Sequence, residues 1–149
     1  MHRTRPRRVP GHAYVGPGRY HVRTSTAGRR RTFADAAWAR LVVSQLWQSA
    51  DSAGFEVFAY CVMPDHVHVL LSALRADSDL TRWVSRWKQT TGYAYARAVG
   101  LALWQCGYFE RTLRREDDTG VVAAYILGNP VRAGLATQVG EYPYAWARE

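Results

Sequence analysis

Two histidines separated by a single residue, His66 and His68, are the side chains of this sequence that most clearly predict chemistry. They lie in an apolar, β-branched stretch that is typical of a strand. Because successive side chains of a strand point to opposite faces, both imidazoles should project from one face of a sheet. Two imidazoles at this spacing supply half of a site for a divalent metal ion.

A tyrosine and an asparagine four residues apart, Tyr125 and Asn129, form the second group. If this segment is helical, the two side chains lie one turn apart on the same face. A phenol can act as a nucleophile, and an amide oxygen can bind a metal ion. Together with the two imidazoles, these groups are the equipment for cutting a DNA strand through a covalent link to tyrosine.

The positive charge of the chain is concentrated near its N-terminus. The formal net charge is +8, and residues 1–34 contain nine arginines and no acidic residue, whereas the rest of the chain is close to neutral. Arginine forks match phosphate oxygens and stack on bases. We therefore interpret residues 1–18 as a basic arm that binds nucleic-acid phosphates, in preference to a merely solvated tail.

Length and composition indicate one domain with a sizeable core, because the chain has 149 residues and 48% of them are hydrophobic. No apolar run approaches the roughly 20 residues that a membrane helix needs, and the charged N-terminus lacks the apolar stretch of a secretory signal. The two cysteines, Cys61 and Cys106, are typical of a reducing compartment rather than of a disulfide framework. We therefore expect a cytoplasmic protein with no membrane partner.

Hydrophobic periodicity predicts four strands and three helices that would position these groups. The predicted strands are residues 20–25, 55–62, 66–72 and 108–114. The predicted helices are residues 34–53, 80–99 and 121–127. Asn129 should lie at or just past the end of the last helix, because the residue before a proline is biased away from helical geometry. Residues 131–149 are predicted to be a short tail.

The order of these elements predicts an α+β fold with a ferredoxin-like antiparallel sheet. Two helices would cover one face of that sheet. The third helix must pack elsewhere, and a position against the open face would bring Tyr125 toward His66 and His68. Residues 19–149 are expected to form a single domain behind the basic arm.

Two segments carry a resemblance to a known family. Residues 63–68 read Met-Pro-Asp-His-Val-His, and residues 125–135 begin with Tyr-Ile and contain Asn129-Pro130. The chain resembles the IS200-like tyrosine transposases of the HUH endonuclease superfamily, and most of all their REP-associated branch, which acts on repetitive extragenic palindromes. Residues 104–111 and 142–144 match as well, so the resemblance extends over nearly the whole chain.

The resemblance implies a single-strand DNA endonuclease and strand transferase that works at palindromic hairpin DNA. His66 and His68 would bind a divalent metal, and Tyr125 would be the nucleophile that forms a 5′-phosphotyrosine. Asn129 stands where relatives carry glutamine and would complete the metal site. Nitrogen and oxygen ligands favour Mg²⁺ or Mn²⁺, although Zn²⁺ and Co²⁺ also suit such a set. Asp65 is assigned no catalytic role, and the relatives act as monomers or homodimers.

The predicted DNA contacts are arginines and aromatic residues outside the two motifs. The arginines would hold the foot of a hairpin or a short guide tetranucleotide, and the aromatic rings would stack on unpaired bases. For Arg114 and Arg115, a solvated charged turn is an equally good interpretation. The predicted contacts are Arg3, Arg5, Arg7, Arg8, Arg29, Arg30, Arg31, Trp104, Tyr108, Arg114 and Arg115.

Two other functions agree with parts of the sequence. A non-cleaving DNA- or RNA-binding protein on the same scaffold would use the basic arm, but it has no need of Tyr125, His66 and His68. A replication or conjugation initiator would share the cleavage chemistry, but such proteins usually carry a third histidine in the motif and larger accessory domains.

Overall fold

The computed structural model of the chain describes residues 14–114 and 117–149. Most of the predicted basic arm, residues 1–13, lies outside this part of the chain. The strands are β1 (Arg19–Ser25), β2 (Phe55–Met63), β3 (His66–Ala73), β4 (Phe109–Leu113) and β5 (Ala145–Ala147). The helices are α1 (Ala36–Ala53), α2 (Leu80–Val99), α3 (Thr119–Leu127) and α4 (Asn129–Arg132).

The five strands form one antiparallel sheet in the order β4–β1–β3–β2–β5. The α+β class, the element order and the antiparallel pairing of the first four strands are those predicted, and the prediction is confirmed. β5 comes from the segment predicted to be a tail. It pairs Ala145 with Cys61 and Ala147 with Ala59, so β2 is no longer an unpaired edge of the sheet.

β3 lies in the middle of the sheet and divides its side chains between two layers. Val67, Val69 and Leu71 are fully buried in the core cluster that α1 and α2 also form. Because side chains alternate along a strand, His66 and His68 project from the opposite face. The two histidines therefore share one face, as the spacing predicts.

α1 and α2 begin and end where the sequence supplies capping groups. The carboxylate of Asp35 accepts a hydrogen bond from the backbone N–H of Ala37 at 2.9 Å. The carboxylate of Asp79 does the same for Arg82 at 3.1 Å. Gly54 ends α1 with a φ of 77°, a value that side chains with a Cβ atom rarely adopt. Among the described residues, no helix is both long enough and apolar enough to cross a membrane.

The face of the sheet that carries the histidines is covered by α3. Ile126 of α3 is fully buried and belongs to a second apolar cluster together with Cys61 and Met63 of β2. Those two strand residues are paired with His68 and His66, respectively, across the β2–β3 ladder. α3 therefore packs on the histidine side of the sheet, beside the pair.

α3 begins two residues earlier than predicted, at Thr119, because the carboxylate of Asp118 accepts hydrogen bonds from backbone N–H groups of the first turn. The chain does not become irregular after α3. Gly128 leads directly into α4, which begins at Asn129. Pro130 fits there because the first turn of a helix does not need its backbone N–H.

We expect Ile126→Ala to lower the free energy of unfolding by about 2–5 kcal/mol, because removing a fully buried aliphatic side chain leaves a cavity. Val121→Ala is the matched control, since Val121 lies on the same helix but is 65% exposed. Its effect should stay within about 0.5 kcal/mol. Urea denaturation measures both values. Equal losses in the two variants would contradict the docking of α3 on the sheet through Ile126.

Candidate active site

The two histidines lie side by side on β3. The centroids of the His66 and His68 rings are 5.1 Å apart, and the ring planes are inclined by 77°. His68 is only 5% exposed, whereas His66 is half-buried beside the turn between β2 and β3. Hydrogen-bonded strands flank β3 on both sides, which fixes the backbone from which both imidazoles project.

His66 is held by the acid that precedes it in the sequence. Its Nδ1 lies 2.7 Å from Oδ1 of Asp65, and the guanidinium of Arg29 lies 3.0 Å from the other carboxylate oxygen. Burial raises the pKa of Asp65, but the hydrogen bond from His66 and the charge of Arg29 outweigh this effect, so the pKa is lowered overall. Burial lowers the pKa of His66, against the opposing effect of Asp65. Asp65 is therefore an ionised acceptor for a neutral imidazole.

His68 is held by a histidine of the neighbouring strand β1. Nε2 of His21 lies 2.9 Å from Nδ1 of His68, and the ring centroids are 5.1 Å apart. Burial lowers the pKa of His68 to about 3 and that of His21 to about 4, so both rings are neutral near pH 7. A neutral imidazole has one N–H, so one of the two rings donates it to the other.

Tyr125 lies near the end of α3 and is 55% exposed. The guanidinium of Arg132 lies 4.2 Å from the centroid of the Tyr125 ring, a distance typical of a cation–π contact. The same guanidinium donates a hydrogen bond of 2.6 Å to the backbone carbonyl of Tyr125. Arg132 thus contacts both the ring and the backbone of Tyr125, while more than half of the surface of Tyr125 is accessible to solvent.

Asn129 stays one helical turn beyond Tyr125, because Gly128 between α3 and α4 has helical backbone angles of φ −77° and ψ −11°. Oδ1 of Asn129 accepts a hydrogen bond of 2.7 Å from the guanidinium of Arg132. Its buried Nδ2 finds no hydrogen-bond partner among the residues that the structure describes. Unpaired buried polar atoms are uncommon in proteins, so the amide of Asn129 is incompletely satisfied by its surroundings.

Arg132 also connects this segment with the histidines. Burial raises the pKa of Cys61 to about 12, and the charge of Arg132 opposes that rise. The same charge adds to the effect of burial in lowering the pKa of His68. Cys61 and His68 are direct partners in the β2–β3 ladder. α4, which ends at Arg132, also contacts β2, so the segment that follows Tyr125 is close to the strand paired with β3.

The position of Arg132 depends on the absence of a side chain at Gly128, because a Cβ atom there would lie 2.6 Å from Nη1 of Arg132. We expect Gly128→Ala to displace this flexible guanidinium while the helix is kept, since alanine favours helices by about 1 kcal/mol. If Tyr125 forms a covalent DNA adduct, as the resemblance implies, the loss of these contacts should slow adduct formation by about tenfold or more.

Gly92→Ala is the matched control for this prediction. Gly92 lies within α2, and a Cβ atom there makes only an ordinary contact of 3.6 Å with Trp104. Adduct formation should be unchanged in this variant. A Gly128→Ala protein that forms the adduct at the rate of Gly92→Ala would show that Arg132 does not position the tyrosine.

The basic turn that follows β1 reaches the same end of the sheet as the histidines. Ser25, the last residue of β1, is paired with His66. Arg29 binds the acid beside that histidine, Arg30 donates a 2.7 Å hydrogen bond to a backbone carbonyl of the segment before β4, and Arg31 is exposed. The structure therefore places three predicted DNA contacts at the edge of the candidate site.

The two aromatic residues predicted to stack on DNA bases are packed against the protein. The indole N–H of Trp104 donates a hydrogen bond of 2.9 Å to the hydroxyl of Thr91, and its ring lies 5.4 Å from the rings of Phe33 and Trp87. Tyr108 is half-buried against the same core. Packing accounts for both side chains, and their contact with bases stays a prediction.

Arg114 lies at the opposite end of the sheet from the histidines. It follows Leu113, which pairs with Arg19, and Arg19 in turn pairs with Ser72, at the other end of β3 from His66. The structure therefore does not bring Arg114 to the candidate site. The other predicted DNA contacts lie outside the described residues; they are Arg3, Arg5, Arg7, Arg8 and Arg115.

The sequence alone does not predict that two further residues, His21 and Arg132, belong to the site. His21 faces the histidine pair only because β1 is aligned with β3 in one register. Arg132 lies within the segment on which the resemblance is based, but its contacts with Tyr125 and Asn129 depend on the helical turn through Gly128. Asp65, for which no catalytic role is predicted, is a direct hydrogen-bond partner of the His66 ring.

Residues 15–129 of the chain match the family model described as transposase IS200 like. A REP-associated tyrosine transposase from Escherichia coli is 32% identical over 92 residues, which are 61% of this chain and 53% of that protein. The match thus spans about half the length of this relative. The resemblance inferred from the histidine and tyrosine motifs is confirmed.

Solved structures show the same fold. The structure of a REP-associated tyrosine transposase bound to a REP hairpin is similar with a TM-score of 0.78 and 23% identity, over 95% of this chain and 81% of that one. A crystal structure from Deinococcus radiodurans is similar with a TM-score of 0.58 and 26% identity, over 85% of this chain and 95% of that one. Since the family model covers well over half of the sequence, the chain belongs to the IS200-like transposase family.

Proposed function

We propose that this protein is a single-strand DNA endonuclease and strand transferase that acts at palindromic hairpin DNA, with Tyr125 as the nucleophile. The observation that carries the proposal is the packing of α3 on the histidine face of the sheet, where Ile126 lies next to Tyr125 in the sequence and is buried with Cys61 and Met63, the ladder partners of the two histidines. Family membership supports the transposase chemistry. A structural relative bound to a REP hairpin supports hairpin DNA as the substrate.

In the proposed step, the phenol oxygen of Tyr125 attacks the scissile phosphorus. A bond forms between phosphorus and the phenol oxygen, and the bond between phosphorus and the 3′-oxygen of the preceding nucleotide breaks. The phenol loses its proton and the leaving 3′-oxygen gains one. The products are a 5′-phosphotyrosine and a free 3′-OH, and attack by this or another 3′-OH on the phosphotyrosine rejoins DNA without ATP.

His66, His68 and Asn129 would hold Mg²⁺ or Mn²⁺. A divalent ion bound there would supply positive charge for the phosphoryl oxygens. The two imidazoles suit this role because each is neutral and each has its Nδ1 in a hydrogen bond, so Nε2 is the ring nitrogen not already held by another side chain. Oδ1 of Asn129 has two lone pairs, so it could bind the ion while it keeps the hydrogen bond from Arg132. The described residues hold no group of three or more His, Cys, Asp or Glu side chains suited to a metal, and the proposed third ligand is the amide of Asn129.

The arginines have the proposed task of binding phosphates around the cut. Arg29, Arg30 and Arg31 stand at the edge of the site, where single-stranded DNA would approach Tyr125. Arginine is suited to this task because its planar fork binds phosphate oxygens in pairs. The N-terminal arm would add further contacts to the hairpin, and such binding should weaken as salt rises.

A labelled hairpin with single-stranded flanks tests the proposal. The oligonucleotide is incubated with the full chain and Mn²⁺, and products are separated under denaturing conditions. A label at the 3′ end should move with the protein, because a 5′-phosphotyrosine retains the downstream fragment. A label at the 5′ end should mark a free fragment that a polymerase can extend. Tight binding without an adduct on any palindrome would favour the non-cleaving alternative.

The chain would act as a monomer or as a homodimer, and mixing two inactive variants distinguishes these two cases. Tyr125→Phe and His68→Ala proteins are combined on one hairpin. Recovery of adduct formation in the mixture would show that one subunit supplies the tyrosine and another the histidines. No recovery is expected if each chain uses its own tyrosine.

A further inference from the structure

Both histidines of the pair have the same ring nitrogen occupied by another side chain. Nδ1 of His66 is bound by Asp65, and Nδ1 of His68 is bound by His21. We propose that Asp65 and His21 are positioning residues that fix the orientation and tautomer of the two metal-binding imidazoles, so that both present Nε2 to the metal. This inference rests on the proposed function, because it concerns the metal site of the same reaction.

For His66, the direction of the hydrogen bond is fixed by the chemistry of its partner. An ionised carboxylate can only accept hydrogen bonds, so Nδ1 of His66 carries the hydrogen. Nε2 is then the nitrogen with a free lone pair. The second oxygen of Asp65 is held by Arg29 at 3.0 Å, which limits rotation of the carboxylate. Arg29 also ties the basic turn after β1 to this ligand.

For His68, the outcome depends on which ring donates. If His21 donates, the hydrogen of His68 must reside on Nε2, and that nitrogen cannot bind a metal. If His68 donates from Nδ1, its Nε2 lone pair is free and Nε2 of His21 is the acceptor. Metal binding therefore requires His21 to accept, with its own hydrogen on Nδ1. The register of β1 against β3 holds His21 on the histidine face, where it can do this.

Partners of this kind commonly change metal affinity by about 10–100-fold when they are removed. We therefore expect His21→Phe and Asp65→Ala each to weaken Mn²⁺ binding by about tenfold or more. His21→Phe keeps a ring of similar size on β1 but has no acceptor. The Mn²⁺ affinity of the full chain is measured without DNA, from the electron paramagnetic resonance signal of free Mn²⁺.

Asp77→Ala is the matched control for Asp65→Ala. Asp77 forms the same kind of ion pair, with Arg75 at 3.1 Å, but it is 80% exposed and contacts no histidine. Its removal should leave Mn²⁺ affinity within twofold of the unmodified protein. Asp65→Asn, which keeps an acceptor oxygen, should recover part of the affinity that Asp65→Ala loses. If Asp65 only stabilises the turn, Asp65→Ala should not lower the Mn²⁺ affinity, and Asp65→Asn should not differ from Asp65→Ala.

Nitrogen NMR of the histidine rings reads the tautomers directly in the unmodified protein with Zn²⁺ as the probe. The expected result is ligation through Nε2 and a hydrogen on Nδ1 for both rings. Ligation through Nδ1 of either ring would overturn the inference, even if a variant failed to fold. Folded variants of His21 and Asp65 with unchanged Mn²⁺ affinity would overturn it as well.

The same titration separates this inference from the proposed function. If His66→Ala and His68→Ala lose Mn²⁺ binding while His21→Phe and Asp65→Ala do not, only the positioning role is wrong. If Mn²⁺ binding is unaffected by removal of His66 or His68, both the proposed metal site and the proposed positioning role are contradicted.

Discussion

Replacing Tyr125 by phenylalanine is expected to abolish the covalent DNA adduct, with a loss of at least about 1000-fold in its rate of formation. The substitution removes the phenol oxygen that is proposed to form the bond to phosphorus, and it leaves the ring in place. Tyr125 is 55% exposed, and its contacts with Arg132 use the ring and the backbone carbonyl, so the fold should not change. Denaturing gels with a 3′-labelled hairpin measure the adduct, and fluorescence anisotropy measures hairpin binding.

Tyr93→Phe is a close control for this experiment. Tyr93 is 63% exposed on α2, and the guanidinium of Arg97, one turn later, lies 5.8 Å from its ring centroid. The same substitution in a similar setting should leave adduct formation unchanged. If Tyr125→Phe still forms the adduct while Tyr93→Phe does not, the nucleophile lies on α2 and not on α3.

His68→Ala is the substitution with the second largest expected effect. It removes one of the two imidazoles proposed to hold the divalent ion, and Mn²⁺-dependent cleavage should fall by at least about 1000-fold. Hairpin binding should stay within a few-fold, because phosphate contacts by arginine supply most of that affinity. Single-turnover cleavage at several Mn²⁺ concentrations tests the first statement, and binding without metal tests the second.

A second variant is needed as a control for unfolding, because His68 is only 5% exposed and its replacement by alanine leaves a buried space. His66 is half-buried, and His66→Ala disturbs the packing less. Both variants should lose cleavage while their circular dichroism spectra match that of the unmodified protein. Cleavage at the unmodified rate in folded His66→Ala and His68→Ala proteins would exclude the histidine pair from the reaction.

The sequence predicts those parts of the fold that have their own periodicity. α2 has the predicted bounds, and the alternation around His66 and His68 places them on one face as expected. β5 and α4 are missed because three or four residues carry no periodic pattern. β5 exists only through its pairing with β2, a contact between residues that are distant in the sequence.

The candidate site shows the same division. The side chains with reactive groups are recognised from their spacing, whereas the side chains that hold them depend on register and rotamers. His21 and Arg132 are of this second kind. For Trp104 the sequence suggests a contact with DNA bases, because it is an aromatic residue in a segment that resembles the family. In the structure its ring packs on Phe33 and Trp87. Composition cannot distinguish these two uses of an indole.

The central claim is that Tyr125 and a cation held by His66 and His68 occupy one active site. Mn²⁺ tests it directly, because a paramagnetic ion broadens the NMR signals of nearby protons. The ring signals of Tyr125, assigned by their loss in Tyr125→Phe, should broaden when Mn²⁺ is added and stay sharp in His66→Ala and His68→Ala proteins. Sharp Tyr125 signals in an unmodified protein whose His66 and His68 signals broaden would contradict the claim.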